Sequence, residues 1–320
     1  MTQKIVLLGP QHPEPTITAT LRGLGVRGPV ALVAAGLQER ESETAALPAL
    51  GVPAVNLKLH ARADVVFSTD TELAAAYKER QTQLRLMQDF YRIRLDHTHA
   101  AARAISVRHV APGVLAAERA VSLDVLRRLD ADHLQRAGGL LAEFTERWNP
   151  LERPAVARHR KKLAQLINAT EAIVIAGGQI ATLLNRLRLF SLLDLVGDRP
   201  IVAWSAGAMV LSERVILFHD YPPHGEPIAE LLDAGLGLVR DTVVLPDPRI
   251  RLRLDDRDRM AELAQRFAPA ACVGMPSRAT LTLEDGVVTD SSHLVRLYPS
   301  GNIGDEGDGQ PILTPDQFVP

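Results

Sequence analysis

Short runs of consecutive apolar residues recur along the chain, and segments with helical periodicity separate them. The runs include 4–9, 29–36, 53–59, 172–178, 200–204 and 241–246. Several of these runs are apolar at consecutive rather than alternating positions, which is typical of parallel strands that are covered on both faces. Segments such as 181–196 and 256–267 repeat their apolar residues at the spacing of a helix. This alternation predicts an α/β fold with a doubly wound, mostly parallel sheet.

One long region, residues 65–168, interrupts the alternation with almost no strand pattern. Its apolar residues follow helical spacing over 69–95 and again over 126–148, which predicts two or three long helices packed as a hairpin. Thr69 and Glu72 form a capping-box pattern at its start. We expect an α-helical insertion that covers a pocket, forms a homodimer interface or bridges solvent.

The sequence therefore predicts three parts. An α/β domain would consist of 1–64 and 169–300, with the insertion at 65–168 between its halves. Residues 301–320 are rich in glycine, aspartate and proline, which predicts a loosely ordered tail. Just before the tail, 272–290 contains strand patterns around an Asp-Gly turn and predicts a hairpin at a sheet edge.

The composition limits the possible classes of function. A net charge of -2 gives no electrostatic reason to expect nucleic acid or an anionic membrane as a partner. Cys272 is the single cysteine, so an intramolecular disulfide and a cysteine zinc site are both excluded. No stretch approaches the roughly 20 apolar residues of a membrane span, and the first apolar run is too short for a signal peptide. We expect a soluble cytoplasmic protein without a metal or cofactor.

The segment PIVAWSAGAMVL, residues 200–211, changes from a buried strand to a helix at Ser205. One explanation is a helix N-cap, because serine is a favoured residue there. The other is a nucleophile elbow, a sharp strand-to-helix turn that presents the hydroxyl above the sheet. An elbow requires small residues two places before and after the serine, here Ala203 and Gly207, whereas a cap does not.

A glycine pair ends the preceding apolar strand in VIAGGQ, residues 174–179. Backbone N–H groups of such a turn can form one half of an oxyanion hole, and the N–H of Ala206 can form the other. Gly177, Gly178 and Gln179 are therefore candidate oxyanion or substrate-binding residues, together with Ala206.

Together these segments resemble the peptidase E and cyanophycinase group, the S51-type serine peptidases. In that family a G-G-N-x-x-x-L stretch precedes a G-x-S-A-G-A elbow, and here Gln179 and Ala203 replace the asparagine and the first glycine. The resemblance covers roughly residues 170–285 and implies a class I glutamine-amidotransferase-like α/β sandwich. It also implies hydrolysis of peptides at aspartyl residues, with Ser205 attacking the carbonyl to form an acyl-enzyme.

The general base that this resemblance implies is missing from its expected place. The family's histidine follows the strand that here reads VVLPDPR, where this chain has Asp247 or Pro248. A carboxylate with a reference pKa of about 3.9 accepts a proton less readily than an imidazole at about 6.5. The acidic residue of the family's closing hairpin is also replaced, by Ser277.

Three hypotheses remain for the chemistry of Ser205. First, His219 or His224 in the loop after the elbow helix supplies the base, because a triad is defined by geometry and not by order in the chain. Second, a catalytically degenerate site binds a small peptide or an acidic small molecule without cutting it. Third, Ser205 performs other chemistry with groups from the insertion. His12, after the first strand, is a further candidate base.

Arginines alternate at positions 249, 251 and 253 in a strand-like pattern. Such a face can bind a carboxylate through paired N–H groups, so Arg249 is a candidate substrate-binding residue. An exposed, salt-paired edge explains the same pattern equally well.

Overall fold

A seven-stranded sheet organises the α/β part of the chain. The computed structural model describes residues 3–43, 47–220 and 228–305. Five neighbouring strands are parallel, and an antiparallel hairpin extends one edge. In spatial order the strands are β11 (Val287–Ser292), β10 (Thr280–Glu284), β1 (Lys4–Leu8), β5 (Ile201–Trp204), β4 (Ala172–Ile175), β2 (Val30–Val33) and β3 (Ala54–Asn56). The predicted α/β class with a mostly parallel sheet is confirmed.

Two smaller sheets accompany the central one. The first contains, in spatial order, β13 (Ile303–Asp305), β12 (Val295–Leu297), β9 (Ala271–Met275) and β8 (Thr242–Pro246). The second pairs β6 (Arg214–Leu217) with β7 (Glu230–Ala234). The run at 241–246 is parallel to a neighbour, as its apolar pattern predicts, but that neighbour is β9 outside the central sheet.

Nine α-helices occur within the described residues. They are α1 (Ile17–Gly23), α2 (Leu59–Thr69), α3 (Thr71–Ser106), α4 (Pro112–Trp148), α5 (Pro154–Asn168), α6 (Ile180–Leu189), α7 (Ala206–Leu211), α8 (Pro248–Arg251) and α9 (Arg257–Phe267). None of the helices in this part of the chain combines the length and the apolar character needed to span a membrane.

The core lies on both faces of the central sheet, which explains the consecutive apolar residues of its parallel strands. In β1, Ile5 and Leu7 join one hydrophobic cluster, whereas Val6 and Leu8 join the cluster on the opposite face. Successive side chains of a strand point to opposite faces, so a strand covered twice needs apolar residues at every position.

The long helices α3 and α4 pack against each other and are attached to the rest of the molecule by a buried polar network. The hydroxyl of Tyr91 in α3 donates to Asp130 in α4 at 2.8 Å. Arg266 of α9 donates to both carboxylate oxygens of Asp130, at 2.8 and 2.7 Å, and to the carbonyl of Ala229 at 2.7 Å. Since a buried charge is tolerated only when paired, this network fixes the hairpin against α9.

Two details of the predicted boundaries differ from the structure. The N-cap of α3 is Asp70, whose carboxylate accepts from the N–H of Leu73 at 3.0 Å, so the predicted cap at Thr69 is wrong. Ile303–Asp305 forms a strand within the stretch predicted as a loose tail, because it pairs with β12. Residues 306–320 lie outside the described residues, and the division into domain, insertion and tail stays a prediction.

Candidate functional site

Ser205 lies at the edge of the central sheet where its parallel strands end. In the register of the sheet, Leu8 of β1 pairs with Trp204 of β5, and Ile175 of β4 pairs with Ala203. Ser205 directly follows Trp204, so it stands between the ends of β1 and β4. Open α/β sheets bind their ligands at this carboxyl edge.

The backbone of Ser205 is strained. Its φ is 51° and its ψ is -124°, a region that residues other than glycine rarely occupy. Its carbonyl accepts from the N–H groups of Ala208 and Met209 and so begins α7. Its side chain makes no capping hydrogen bond, so the hydroxyl does not perform the task of a serine N-cap. Strain at a strand-to-helix turn, together with a hydroxyl that does not cap the helix, agrees with the geometry expected of a nucleophile elbow.

The glycines around Ser205 permit close backbone contacts. A Cβ on Gly177 would lie 2.9 Å from the Cβ of Ser205, so the glycine turn after β4 touches the elbow directly. A Cβ on Gly207 would lie 2.4 Å from the carbonyl oxygen of Ile175, so this glycine lets α7 approach β4. The small residue two places after Ser205 therefore makes room for the neighbouring strand.

Gly178 and Gln179 connect the glycine turn to the loop after β2. Gly178 has a φ of 134°, and a Cβ there would lie 2.4 Å from the carbonyl of Gly36. The N–H of Gln179 donates to that carbonyl at 2.7 Å, and its side chain caps α6 by accepting from the N–H of Thr182. Within the part of the chain that the structure describes, the N–H groups of Gly178 and Ala206 have no hydrogen-bond acceptor.

Two histidines were proposed from the loop after α7. The first, His219, is exposed and lies two residues after the strand β6. Its neighbour Asp220 is buried and accepts from both Nε and Nη2 of Arg259, at 3.0 and 2.8 Å, and from the N–H of Arg253 at 2.8 Å. His224 lies outside the described residues.

Asp247 directly follows β8. Contacts of its backbone connect it to the loop after β1, at the carboxyl edge of the central sheet. Its N–H donates to the carbonyl of Met275 at 3.1 Å, and the next residue, Pro276, packs against Gly9 directly after β1. Burial raises the pKa of Asp247, while Arg251 acts in the opposite direction. The helix α7 also packs against β8. The carboxylate of Asp247 is therefore more basic than usual.

Arg249 does not lie on a strand. Residues Pro248–Arg251 form the short helix α8, with Asp247 in the left-handed conformation before it and Pro248 at its first turn. Arg249 is exposed on this helix. The strand-like interpretation of positions 249, 251 and 253 is therefore wrong, because their alternation is interrupted by a helical turn.

A second strained residue, Gln38, lies beside the glycine turn and was not predicted from the sequence. Its φ is 56° and its ψ is -126°, almost the same as those of Ser205. Its side-chain amide donates to Thr182 at 3.1 Å, and Gly36, two residues earlier, touches Gly177 and Gly178. The one available signal for a second strained turn was the run of small residues Ala34, Ala35 and Gly36 after β2, because small residues also surround Ser205.

Other reactive groups are engaged elsewhere. Cys272 is buried, and burial raises the pKa of its thiol to about 12. His99 of the insertion pairs with Glu262 at 2.6 Å. No group of three or more histidine, cysteine, aspartate or glutamate side chains suited to a metal ion occurs among the described residues.

Comparisons with known proteins add little to this geometry. No protein-family model and no curated protein matches the sequence. The chain is similar to the crystal structure of a peptidase from an acI-B1 Actinobacterium, with 13% sequence identity, 96% of each chain covered and a TM-score of 0.42. Because this TM-score is below 0.5, the similarity does not assign a fold or a function to the chain. Both are therefore inferred from the strands and residues of the chain itself.

Proposed function

We propose that this chain is a serine hydrolase of the peptidase E and cyanophycinase type, with Ser205 as its nucleophile. The observation that carries the proposal is the strained backbone of Ser205 at a strand-to-helix turn, with a hydroxyl that does not cap the helix. Backbone strain of this kind persists only where the surrounding structure enforces it, and it concentrates at functional sites. The substrates would be small peptides, including peptides with aspartyl residues.

The groups around Ser205 include a candidate residue for each step of acyl transfer. Ser205 Oγ would form a bond to the substrate carbonyl carbon while its proton passes to a base. The N–H groups of Gly178 and Ala206 would hold the resulting oxyanion. The carbon–nitrogen bond would then break as the amine takes the proton, and water would release the acyl group from Ser205.

Asp247 is the first candidate for the base, and His219 is the second. Asp247 or Pro248 stands where the family has its histidine, and of these two residues only Asp247 can accept a proton. Burial raises the pKa of Asp247 toward the range in which a carboxylate is an effective proton acceptor. His219 lies two residues after β6 and is exposed. We also propose that Arg249, which is exposed on α8, binds a carboxylate of the substrate.

A second candidate function is binding without hydrolysis. The observation that favours it is that Asp247 or Pro248 stands where the resembling family has its histidine. In that case the N–H groups of Gly178 and Ala206 would hold the carboxylate of a peptide or of an acidic small molecule, and no covalent intermediate would form.

Labelling with a fluorophosphonate probe distinguishes the two functions. The hydroxyl of an activated serine displaces fluoride from the probe and forms a stable phosphonyl ester. We expect labelling of the wild type and of Ser68→Ala, a control serine exposed on α2, and no labelling of Ser205→Ala. Peptide mapping should place the adduct on Ser205.

The same assay tests the base. If Asp247 accepts the proton, Asp247→Asn loses labelling while His219→Ala retains it; the reverse pattern assigns the base to His219. Absence of any adduct on folded wild type between pH 5 and 9, as checked by circular dichroism, would contradict the hydrolase and favour binding alone. Hydrolysis of Asp-containing dipeptides, followed by amine release, then tests the substrate class.

A further inference from the structure

A cavity lies between the long helices α3 and α4 and the C-terminal end of α6. Its volume is about 330 Å³, at the lower end of the range of small-molecule sites. Most of its lining is apolar and comes from α4, α6 and the turns that follow them; it includes Leu141, Phe144, Leu151, Leu187, Leu192 and Leu236. Ser205, Gly178 and Asp247 do not line it.

One buried cation, Arg80 of α3, lines this apolar cavity. Arg80 is only 5% exposed, and its guanidinium lies over the rings of Tyr77 and Phe144, at 4.3 and 4.4 Å from their centres. Its Nε is buried without a hydrogen-bond partner. The one hydrogen bond of the guanidinium in the described residues runs from Nη2 to the side-chain oxygen of Asn185, at 3.3 Å.

Arg80 differs from the other arginines around the cavity because no carboxylate of the described residues pairs with it. Arg188 pairs with Asp233 at 2.6 Å, and Asp194, which also lines the cavity, is held by Arg160 at 3.1 Å and by Ser191. A buried charge is ordinarily paired, since burial without a counterion is costly. Arg80 stacks on two rings and donates one long hydrogen bond to a neutral amide, and neither interaction supplies the negative charge that would offset the desolvation of its guanidinium.

We infer that this cavity is a binding site for a small monocarboxylic acid with an apolar body. Its carboxylate would accept two hydrogen bonds from Arg80, the geometry in which a guanidinium binds such a group most strongly. The apolar body would lie against the leucines and Phe144. Charge complementarity to Arg80 selects an anion, and the apolar lining selects a hydrocarbon or aromatic acid over a polar one. This site is independent of the proposed chemistry of Ser205.

Calorimetric titration with octanoate and phenylacetate tests the inference, with octanol as the probe that lacks a carboxylate. The variant Arg80→Met removes the charge, and Arg85→Met removes an exposed arginine of the same helix as a matched control. We expect the wild type and Arg85→Met to bind at least one of the two acids. Arg80→Met should bind it at least tenfold more weakly, and octanol should bind the wild type at least tenfold more weakly than octanoate.

A second variant, Leu151→Trp, fills the cavity from its partly exposed rim, where a larger side chain does not disturb the core. It should abolish binding even if Arg80→Met does not fold. The inference is overturned if the wild type binds neither acid at millimolar concentration, or if octanol binds as well as octanoate. Binding to Leu151→Trp, or to folded Arg80→Met, with wild-type affinity would also overturn it.

Discussion

Gly177 is the residue that brings the glycine turn into contact with the elbow. A methyl group at this position would come within 2.9 Å of the Cβ of Ser205, so one of the two backbones must move. We expect Gly177→Ala to destabilise the protein by about 1–3 kcal/mol, the usual cost of overpacking. It should also reduce labelling of Ser205 by the fluorophosphonate probe.

Gly139 is the matched control, because a Cβ there meets no atom within 4 Å on the surface of α4. Gly139→Ala should stabilise the protein by up to about 1 kcal/mol through helix propensity and leave labelling unchanged. Urea denaturation of both variants checks the prediction. Equal stability of Gly177→Ala and the wild type would show that the turn does not touch the elbow.

Asp247 affects stability in the direction opposite to that of a paired carboxylate. Burial raises its folded pKa, so folding favours the protonated form. The stability it contributes is present below its unfolded pKa and is lost as the pH rises through its folded pKa. We expect Asp247→Asn to be more stable than the wild type at pH 7 and equal to it at pH 3, because asparagine is neutral throughout.

Asparagine also tolerates the left-handed backbone of position 247, where φ is 55°. Strain from the substitution therefore does not obscure the electrostatic effect. Denaturation curves at the two pH values measure it. A variant that is less stable than the wild type at pH 7 would mean that the carboxylate is better partnered than its surroundings indicate.

The helix hairpin depends on the network of Asp130, Arg266 and Tyr91. Asp130→Ala leaves Arg266 buried without its counterion, and we expect a loss of about 3–5 kcal/mol in unfolding free energy. Asp130→Ala combined with Arg266→Met should lose less than the two single changes added together, because no unpaired charge remains.

An exposed ion pair on the same helix gives the control. Asp132 and Arg136 lie 3.7 Å apart with both side chains exposed by half or more, so Asp132→Ala should cost less than about 1 kcal/mol. Chemical denaturation of the wild type, of Asp130→Ala, of Arg266→Met and of the double variant completes the double-mutant cycle. Asp132→Ala is measured in the same way as the control. Additive losses at Asp130 and Arg266 would show that the two residues do not act as a pair.

Whether a segment is a helix or a strand was predictable from the sequence where the spacing of its own apolar residues decides it. Consecutive apolar residues predicted the parallel strands, and helical spacing predicted α3 and α4, because each pattern reflects which faces of one element are covered. The segment 248–253 was predicted wrongly as strand-like. Its arginines alternate with period two, but Pro248 fits the first turn of a helix and the left-handed Asp247 redirects the chain.

At the scale of the whole molecule, sequence predicts which strands exist better than which strands pair. The run at 241–246 had the pattern of a central strand, yet it pairs with β9 in a separate sheet. Pairing is decided by long-range packing, which a local pattern does not contain. The sequence also predicted that the glycine turn after β4 lies beside Ser205, but the strain at Gln38 depends on loops from different strands meeting at one edge and was not predictable.

Several carboxylates that join distant segments make the whole molecule sensitive to acid. Hydrogen bonds from Arg153 lower the pKa of Asp70, the N–H groups of Gly28 and Arg27 lower that of Glu171, and Ser191, followed by Arg160, lowers that of Asp194. A carboxylate with a lowered folded pKa contributes stability that is present above its unfolded pKa and lost as the pH falls through its folded pKa.

We therefore expect the Tm to be nearly constant from pH 7 to 5 and to fall progressively below the unfolded values of 3.8 for aspartate and 4.5 for glutamate. A triple variant, Asp70→Asn, Glu171→Gln and Asp194→Asn, should have a lower Tm at pH 7 and a shallower fall in acid. Asp132→Asn, on the surface of α4, should follow the wild type. Thermal scans across this pH range measure all three, and parallel curves for the wild type and the triple variant would contradict the assignment. The three carboxylates fasten α5 and the loop before β4 to segments remote in the chain, and Asp70 also caps α3. Protonating them therefore loosens contacts between elements and weakens the N-terminal cap of α3.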